Sequence, residues 1–211
     1  MIVRPYEPRD RAAVREICCD TADSGQPMER FFPDREVFAD LITRFYTDFA
    51  PETSWVAETE GQVVGYLNGC LDSRRFVRAM AWRIVPATFF KALIRGTLYH
   101  RQTRAFVRVN LRDWLRSRQH VDLRDYPGHV HINLRAAARG HGVGERLMEE
   151  FVRQAKAAGV SGIHANVSEA NPGSGRFFEK CGFVPLGRTG RFRFPDTPDQ
   201  LIFTMVYGKR L

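Results

Sequence analysis

This chain of 211 residues is short of lysine, of cysteine and of long apolar runs, and each shortage removes a class of protein. Lys91, Lys156, Lys180 and Lys209 are its only lysines, so a formal charge of +8 rests on arginine. Codon bias in a GC-rich genome explains such a balance as readily as a polyanionic partner does, and nucleic acid is not the expected partner. The four cysteines, Cys18, Cys19, Cys70 and Cys181, form neither a metal pair nor a disulfide ladder. Reduced core thiols and a cytoplasmic protein are expected. The six histidines show no zinc spacing, so no metal site is expected. The longest apolar stretch, 80–94, is broken by Arg83, Pro86 and Lys91 and is too short to cross a bilayer. Because Met1-Ile2-Val3 leads straight into a polar turn, no secretory leader is expected. Without repeats or low-complexity tracts, 1–211 reads as one domain with one continuous core.

What is present centres on Arg139-Gly140-His141-Gly142-Val143-Gly144. Before it, His129-Val130-His131-Ile132-Asn133-Leu134 alternates at the strand period. After it, Leu147, Met148, Phe151, Val152 and Ala155 recur at helical spacing. The glycines therefore join a strand to a helix. The first N–H groups of that helix lack partners and the macrodipole is positive there, which suits a pyrophosphate. A P-loop would require a lysine close by, and a dinucleotide fingerprint would require glycine where Glu145 stands. The pattern that remains is R-x-x-G-x-G.

The other elements read as α/β. Strands are expected at 2–4, at 54–58 and 62–71 as a hairpin around Glu60-Gly61, at 162–167, and as a terminal pair near Phe183 and 201–207. Helices are expected from Asp10, and from Pro33-Asp34 with Val37, Phe38, Leu41, Ile42 and Phe45 inward. Between the hairpin and the strand at His129 lies a basic helical insertion, about 73–120. It runs from Arg74, Arg75 and Arg78 through Lys91 and Arg95 to Arg118, against one acid, Asp113. Its length argues against an unstructured loop. A cap on the domain or at a homodimer interface, and a lid over a pocket, are both compatible with the pattern.

Downstream of the strand at Ile163 comes Asn171-Pro172-Gly173-Ser174-Gly175-Arg176-Phe177-Phe178-Glu179-Lys180-Cys181-Gly182-Phe183. Together with R-x-x-G-x-G, its Asn171, Ser174, Phe178, Gly182 and Phe183 resemble the second motif of the GNAT superfamily, the acyl-CoA N-acyltransferases. The segments 3–10, 20–25 and 126–133 resemble the branch that includes the acetyltransferase-like domains of O-GlcNAc hydrolases and free-standing bacterial acetyltransferases. The resemblance implies a mixed, mostly antiparallel sheet flanked by helices, with acetyl-CoA as cofactor and an amine of a small molecule or protein as acceptor. It assigns the pyrophosphate to the amides of Arg139, Gly140, His141, Gly142, Val143, Gly144 and Glu145. Pantetheine falls to the backbone of Ile132, Asn133 and Leu134, with Asn171 and Phe178 beside it.

Within that resemblance, His131 ranks first as general base, because imidazole titrates nearest neutrality. His129, Glu169 and Asp72 are further candidates, and Asp20 or Asp23 would hold a cationic acceptor. Relatives commonly carry tyrosine where Phe178 stands, so the acid that protonates the leaving thiolate is missing. Tyr207 is a substitute donor. Two alternatives follow: a CoA-binding pseudoenzyme that regulates or scaffolds a partner, and a basic module that contacts nucleic acid through the insertion.

Overall fold

A computed structural model describes residues 1–116 and 121–211, with side chains up to Leu111 and again from Val121. The strands are β1 (Ile2–Pro5), β2 (Ser54–Thr59), β3 (Gln62–Cys70), β4 (Gly128–Leu134), β5 (Gly162–Ser168), β6 (Val184–Phe194) and β7 (Thr197–Arg210). They form one seven-stranded sheet in the order β1-β2-β3-β4-β5-β7-β6. Every neighbouring pair is antiparallel except β4 and β5. The fold is the expected mixed, mostly antiparallel α/β sheet flanked by helices. Glu60 and Gly61 close the β2–β3 hairpin with both φ positive, at 51° and 75°, as a tight primed turn demands.

Helices cover both faces. On one, α6 (Val143–Ala157) buries Leu147, Met148, Phe151 and Ala155 against the sheet. On the other, α1 (Arg11–Asp20) buries Val14, Ile17 and Cys18 against Val56 and Tyr66. Next to α1 lies α2 (Arg35–Arg44), which starts as expected at Asp34, whose carboxylate accepts from the N–H groups of Glu36 and Val37. A fourth core helix, α7 (Pro172–Lys180), is capped by the Asn171 side chain, which accepts from Ser174 N–H at 3.2 Å. Gly175 has a packing reason within α7: a Cβ there would come within 2.8 Å of the Tyr207 hydroxyl.

The insertion is helical over its described length, as α3 (Ser73–Ala79), α4 (Val85–Ile94) and α5 (Arg101–Arg116), with a π turn at Met80–Ile84 joining the first two. The side chains of Arg112, Asp113, Trp114, Leu115 and Arg116, and residues 117–120 with Arg118 among them, lie outside the described part. Part of its positive charge is spent inside the fold. Lys91 meets Asp40 at 2.8 Å and Glu36 at 3.2 Å, and Arg95 meets Asp34 at 2.8 Å. The basic run thus docks α4 on the acids of α2, while Trp82 and Ile94 stay 82% and 86% exposed on the outer face. Among the described residues no helix is long and apolar enough to cross a membrane.

Candidate active site

The site begins where β4 leaves β5. Their parallel pairing consists of Gly128 with Ile163 and His129 with His164, and it stops there. On its other edge β4 stays zipped to β3 as far as Leu134 opposite Gly65, and Arg135 N–H donates to Val64 O at 2.9 Å. Antiparallel bonding alternates residue by residue. The N–H groups of Leu134 and Ile132 therefore turn away from β3, toward the edge that β5 has vacated. A buried but unpaired strand edge is costly unless a ligand bonds to it.

Beyond that edge the chain turns through 140–142 into α6. Gly140 and Gly142 have φ of 78° and 73°, and a Cβ on either would meet no atom within 4 Å. Gly142 is the N-cap of α6 and offers no side chain to the first amides. Those amides stand at the positive end of a four-turn helix whose first residues, Val143, Gly144 and Glu145, line a cleft, a surface an anionic diphosphate fits. Gly144 is different, since a Cβ there would lie 3.0 Å from the Phe177 ring and 3.3 Å from Leu134. It serves the contact between α6 and α7.

A cleft of about 390 Å³ runs along this surface. The structure brings Ile132, Asn133, Leu134, Arg139, Gly140, Gly142, Val143, Gly144, Glu145 and Asn171 together on its walls. His141 is not on them: it is exposed, with its ring Nδ1 2.8 Å from Arg139 O. Phe178 lies on an adjoining pocket instead. Thr21, Ser24, Gly25, Phe177 and Lys180 also line the cleft and carried no expected cofactor role. Their signal was faint. Gly25, at φ 95°, would place a Cβ 2.7 Å from the Arg139 guanidinium, so the 21–25 turn closes over Arg139. Lys180 pairs with Glu145 across the cleft.

The adjoining pocket, about 280 Å³, is lined by Asp23, His131, Asn166, Phe178 and a group of phenylalanines. Thr21, Ser24, Ile132, Asn133, Asn171 and Ser174 border both hollows, which meet at the gap between β4 and β5.

Of the proposed bases, only His131 borders this junction. Asp72 is occupied as the N-cap of α3, accepting from Arg74 and Arg75 N–H. Glu169 pairs with Arg188 at 2.6 Å and, with Tyr207, lines a third cleft that meets the adjoining pocket at Val167, Ser168 and Asn171. The Tyr207 hydroxyl donates to Glu179 at 3.5 Å, while its ring stacks on Phe178 at 6.1 Å. Asp20 is taken by Arg35 and Arg135. These acids were placed correctly along the chain, but neighbouring cations and helix ends claim them first.

Burial sets the charge of the histidines. It pushes His131 down to about 4, and burial followed by His164 and His131 pushes His129 down to about 3. Both rings are neutral at pH 7. His129 sits between the Tyr46 hydroxyl on Nε2 and the Ser73 hydroxyl on Nδ1, each at 2.7 Å. His131 Nδ1 lies 3.4 Å from the Tyr66 hydroxyl. An acid-linked loss of stability follows. The unfolded chain takes up protons near pH 6.5, which the folded histidines refuse until far lower pH, so the contribution is whole above about 6.5 and declines as pH falls through that window. Each refused proton is worth up to ~1.4 kcal/mol per pH unit. Urea midpoints should fall steadily from pH 7.5 to pH 5. An unchanged midpoint across that range would show that these rings titrate normally.

Among the described residues no group of His, Cys, Asp and Glu could hold a metal ion. The model of the Acetyltransferase (GNAT) family matches residues 25–183, and the chain belongs to that family. Its fold is similar to the crystal structure of SsHAT, with 28% identity, a TM-score of 0.72 and coverage of 99% of this chain and 97% of that one. It is similar also to a GNAT superfamily phosphinothricin acetyltransferase (Pat) from Sinorhizobium meliloti in complex with AcCoA (19% identity, TM-score 0.57, 100% and 88% coverage). A third similar structure, yncA from Salmonella typhimurium with its cofactor acetyl-CoA, shares 16% identity with a TM-score of 0.55 and 100% and 94% coverage.

Proposed function

We propose that the chain transfers the acetyl group of acetyl-CoA to an amine of a small molecule or protein. The observation that carries this reading is the unzipping of β4 from β5 beside an uncapped helix start. It leaves the Ile132 and Leu134 N–H groups beside a cleft that Gly140, Gly142, Val143, Gly144 and Glu145 also line. Acetyl-CoA supplies an activated thioester. The 140–145 turn, with Arg139 and Lys180 on the cleft walls, would hold its pyrophosphate, and the edge of β4 its pantetheine. A well-placed backbone donor at Leu134 would polarise the acyl oxygen, an effect worth ~2.7 to 4 kcal/mol in other acyl-transfer sites. His131 is a neutral acceptor that orients the incoming N–H; with its pKa near 4 it is a weak base, so the ammonium proton goes to solvent.

Phe178 is 5% exposed and packs edge-on against Phe177 and Phe183, at 5.3 and 5.1 Å. It has no proton to give. A leaving thiolate with pKa near ~8.5 departs without an acid at neutral pH, so the substitution slows the step rather than forbidding it. Phe178→Tyr should raise kcat about tenfold, equivalent to ~1.4 kcal/mol, with little change in acetyl-CoA affinity. Thiol release with a panel of amines tests both statements. Release by the wild type supports an enzyme, and a gain in the variant identifies protonation of the thiolate as its slow step. The second reading, a CoA-binding pseudoenzyme, is favoured by the same phenylalanine. It prevails when neither protein releases thiol although both bind CoA.

A further inference from the structure

We infer that the acceptor is a small arylalkyl primary amine, one aromatic ring on a short arm, seated with its ring against a wall of phenylalanines and its ammonium at Asp23. This rests on the acetyltransferase reading for turnover, but the pocket is defined by its own walls. Phe31, Phe38, Phe106, Phe192 and Phe194 come from the turn before α2, from α2, from α5 and from β6. They hold one another in place: Phe31 lies 5.7 Å from Phe38, 5.5 Å from Phe106 and 5.7 Å from Phe194, and Phe192 lies 5.4 Å from Phe194. Rings fixed by rings make a rigid apolar surface that prefers another ring, edge-on or offset.

Size and charge narrow the class. A cavity of ~150 Å³ is enough to take benzene, and this pocket measures about 280 Å³. It has room for a ring and two or three carbons. Among the described residues Asp23 is the one acid or permanently charged group on its lining. Arg30 reaches Asp23 at 3.3 Å but is held more closely by Asp196 at 2.9 Å, with its guanidinium 4.1 Å over the Phe194 ring. Among the described residues Arg30 is shared by two carboxylates, and that trio carries a net negative charge in a chain whose formal charge is +8. That local sign selects a cation. The turn that carries Asp23 also places Thr21 and Ser24 on both hollows, so an ammonium there stands near the cofactor cleft while its ring points to Phe31 and Phe194.

The transfer balances. A C–N bond forms as the C–S bond breaks; the ammonium gives up two protons to solvent, and the thiolate, having left as the anion, takes one back from solvent. A polyamine would leave unpaired charges against the phenylalanines, at the cost of burying a cation without a partner. A simple alkyl amine would forgo the ring contacts.

The experiment separates the pocket from the reaction. Calorimetry on the full chain compares 2-phenylethylamine, its neutral analogue 2-phenylethanol, n-butylamine, spermidine and a short peptide with a free N-terminus; thiol release with saturating acetyl-CoA uses the same amines. 2-Phenylethylamine should bind at least tenfold more tightly than n-butylamine or spermidine and give the highest kcat/KM. Asp23→Asn should weaken 2-phenylethylamine at least tenfold and leave 2-phenylethanol unchanged, which also shows that the variant is folded. Phe106→Ala should weaken both. Selective binding of 2-phenylethylamine without thiol release supports the pocket and counts against the acetyltransferase reading. Turnover of spermidine or the peptide in preference to 2-phenylethylamine overturns the pocket assignment and leaves the acetyltransferase reading intact. Failure of 2-phenylethylamine to bind overturns the pocket as well.

Discussion

Gly142→Asp will abolish acetyl-CoA binding, whereas Gly142→Asn will retain it at a moderate loss. The pair differs by one charge in nearly the same volume. Both side chains accept positive φ more readily than most, at a cost of roughly 1 to 2 kcal/mol common to the two. Neither meets the fold, since nothing lies within 4 Å of a Cβ at this position. As an N-cap, aspartate or asparagine returns only a few tenths of a kcal/mol over glycine, less than the left-handed backbone costs. Thermal stability should therefore fall modestly and about equally in the two variants, while affinity collapses in the aspartate alone. Two like charges about 4 Å apart repel by roughly 4 kcal/mol at an effective dielectric of 20, close to a thousandfold in Kd. Calorimetry with acetyl-CoA measures both variants. An Asp variant within threefold of the Asn variant removes the pyrophosphate from this turn. Gly144→Asp is a poorer test, because its side chain would strike Phe177 and Leu134 and so mix packing with charge.

What could be read ahead of the structure was whatever is written locally. The stripe Leu147, Met148, Phe151 and Ala155 names a buried helix face. Asn171-Pro172 and Asp34 name helix starts, and Glu60-Gly61 names a hairpin. Each depends on a few neighbours along the chain, and each is observed. The glycine turn was legible for the same reason, as its meaning lies in six consecutive residues.

The remainder of the site depends on partners far apart in sequence. Nothing in residues 128–134 announces that pairing with β5 ends after His129, because that is a property of two strands and the helices between them. The acids illustrate the point from the other side. Asp72 and Glu169 have the right chemistry for a base and Asp20 for holding a cation, and only their contacts reveal a helix cap, an Arg188 partner and a pair of arginines. The phenylalanine wall is assembled from four separate segments, none of which shows a motif. The charge of the insertion was plain, but its use was not. Lys91 and Arg95 read as a basic stripe until α2 supplies Glu36, Asp40 and Asp34 opposite.

That docking gives the second large expectation: Asp40→Ala will destabilise the fold by about 3 kcal/mol, within the range for breaking a buried ion pair from one side. Asp40 and Arg15 are 7% and 8% exposed at the side chain and meet at 2.5 Å, with Lys91 at 2.8 Å from the second carboxylate oxygen. Removing the carboxylate leaves Arg15 buried. Glu36 still reaches it at 2.7 Å, but from an exposed position, 53% accessible, which keeps the loss toward the lower end. The same variant should loosen α4, because one of the two anchors of Lys91 is gone. Acid pH supplies an independent check. Burial alone would raise the Asp40 carboxyl, but hydrogen bonds from Lys91 and Arg15 outweigh it and hold the group below its ordinary 3.8. A folded pKa below the unfolded value means stability that is whole above about 3.8 and lost as pH falls through the folded value. The gap between wild type and Asp40→Ala, read from urea midpoints, should thus stay constant from pH 8 to pH 5 and narrow only below about pH 4. The histidine contribution declines in both proteins over the earlier window and cancels in the difference. A gap under about 1 kcal/mol at pH 7, the size of an exposed pair, would show that the Arg15–Asp40–Lys91 cluster is solvated and that the insertion is held by its apolar contacts instead.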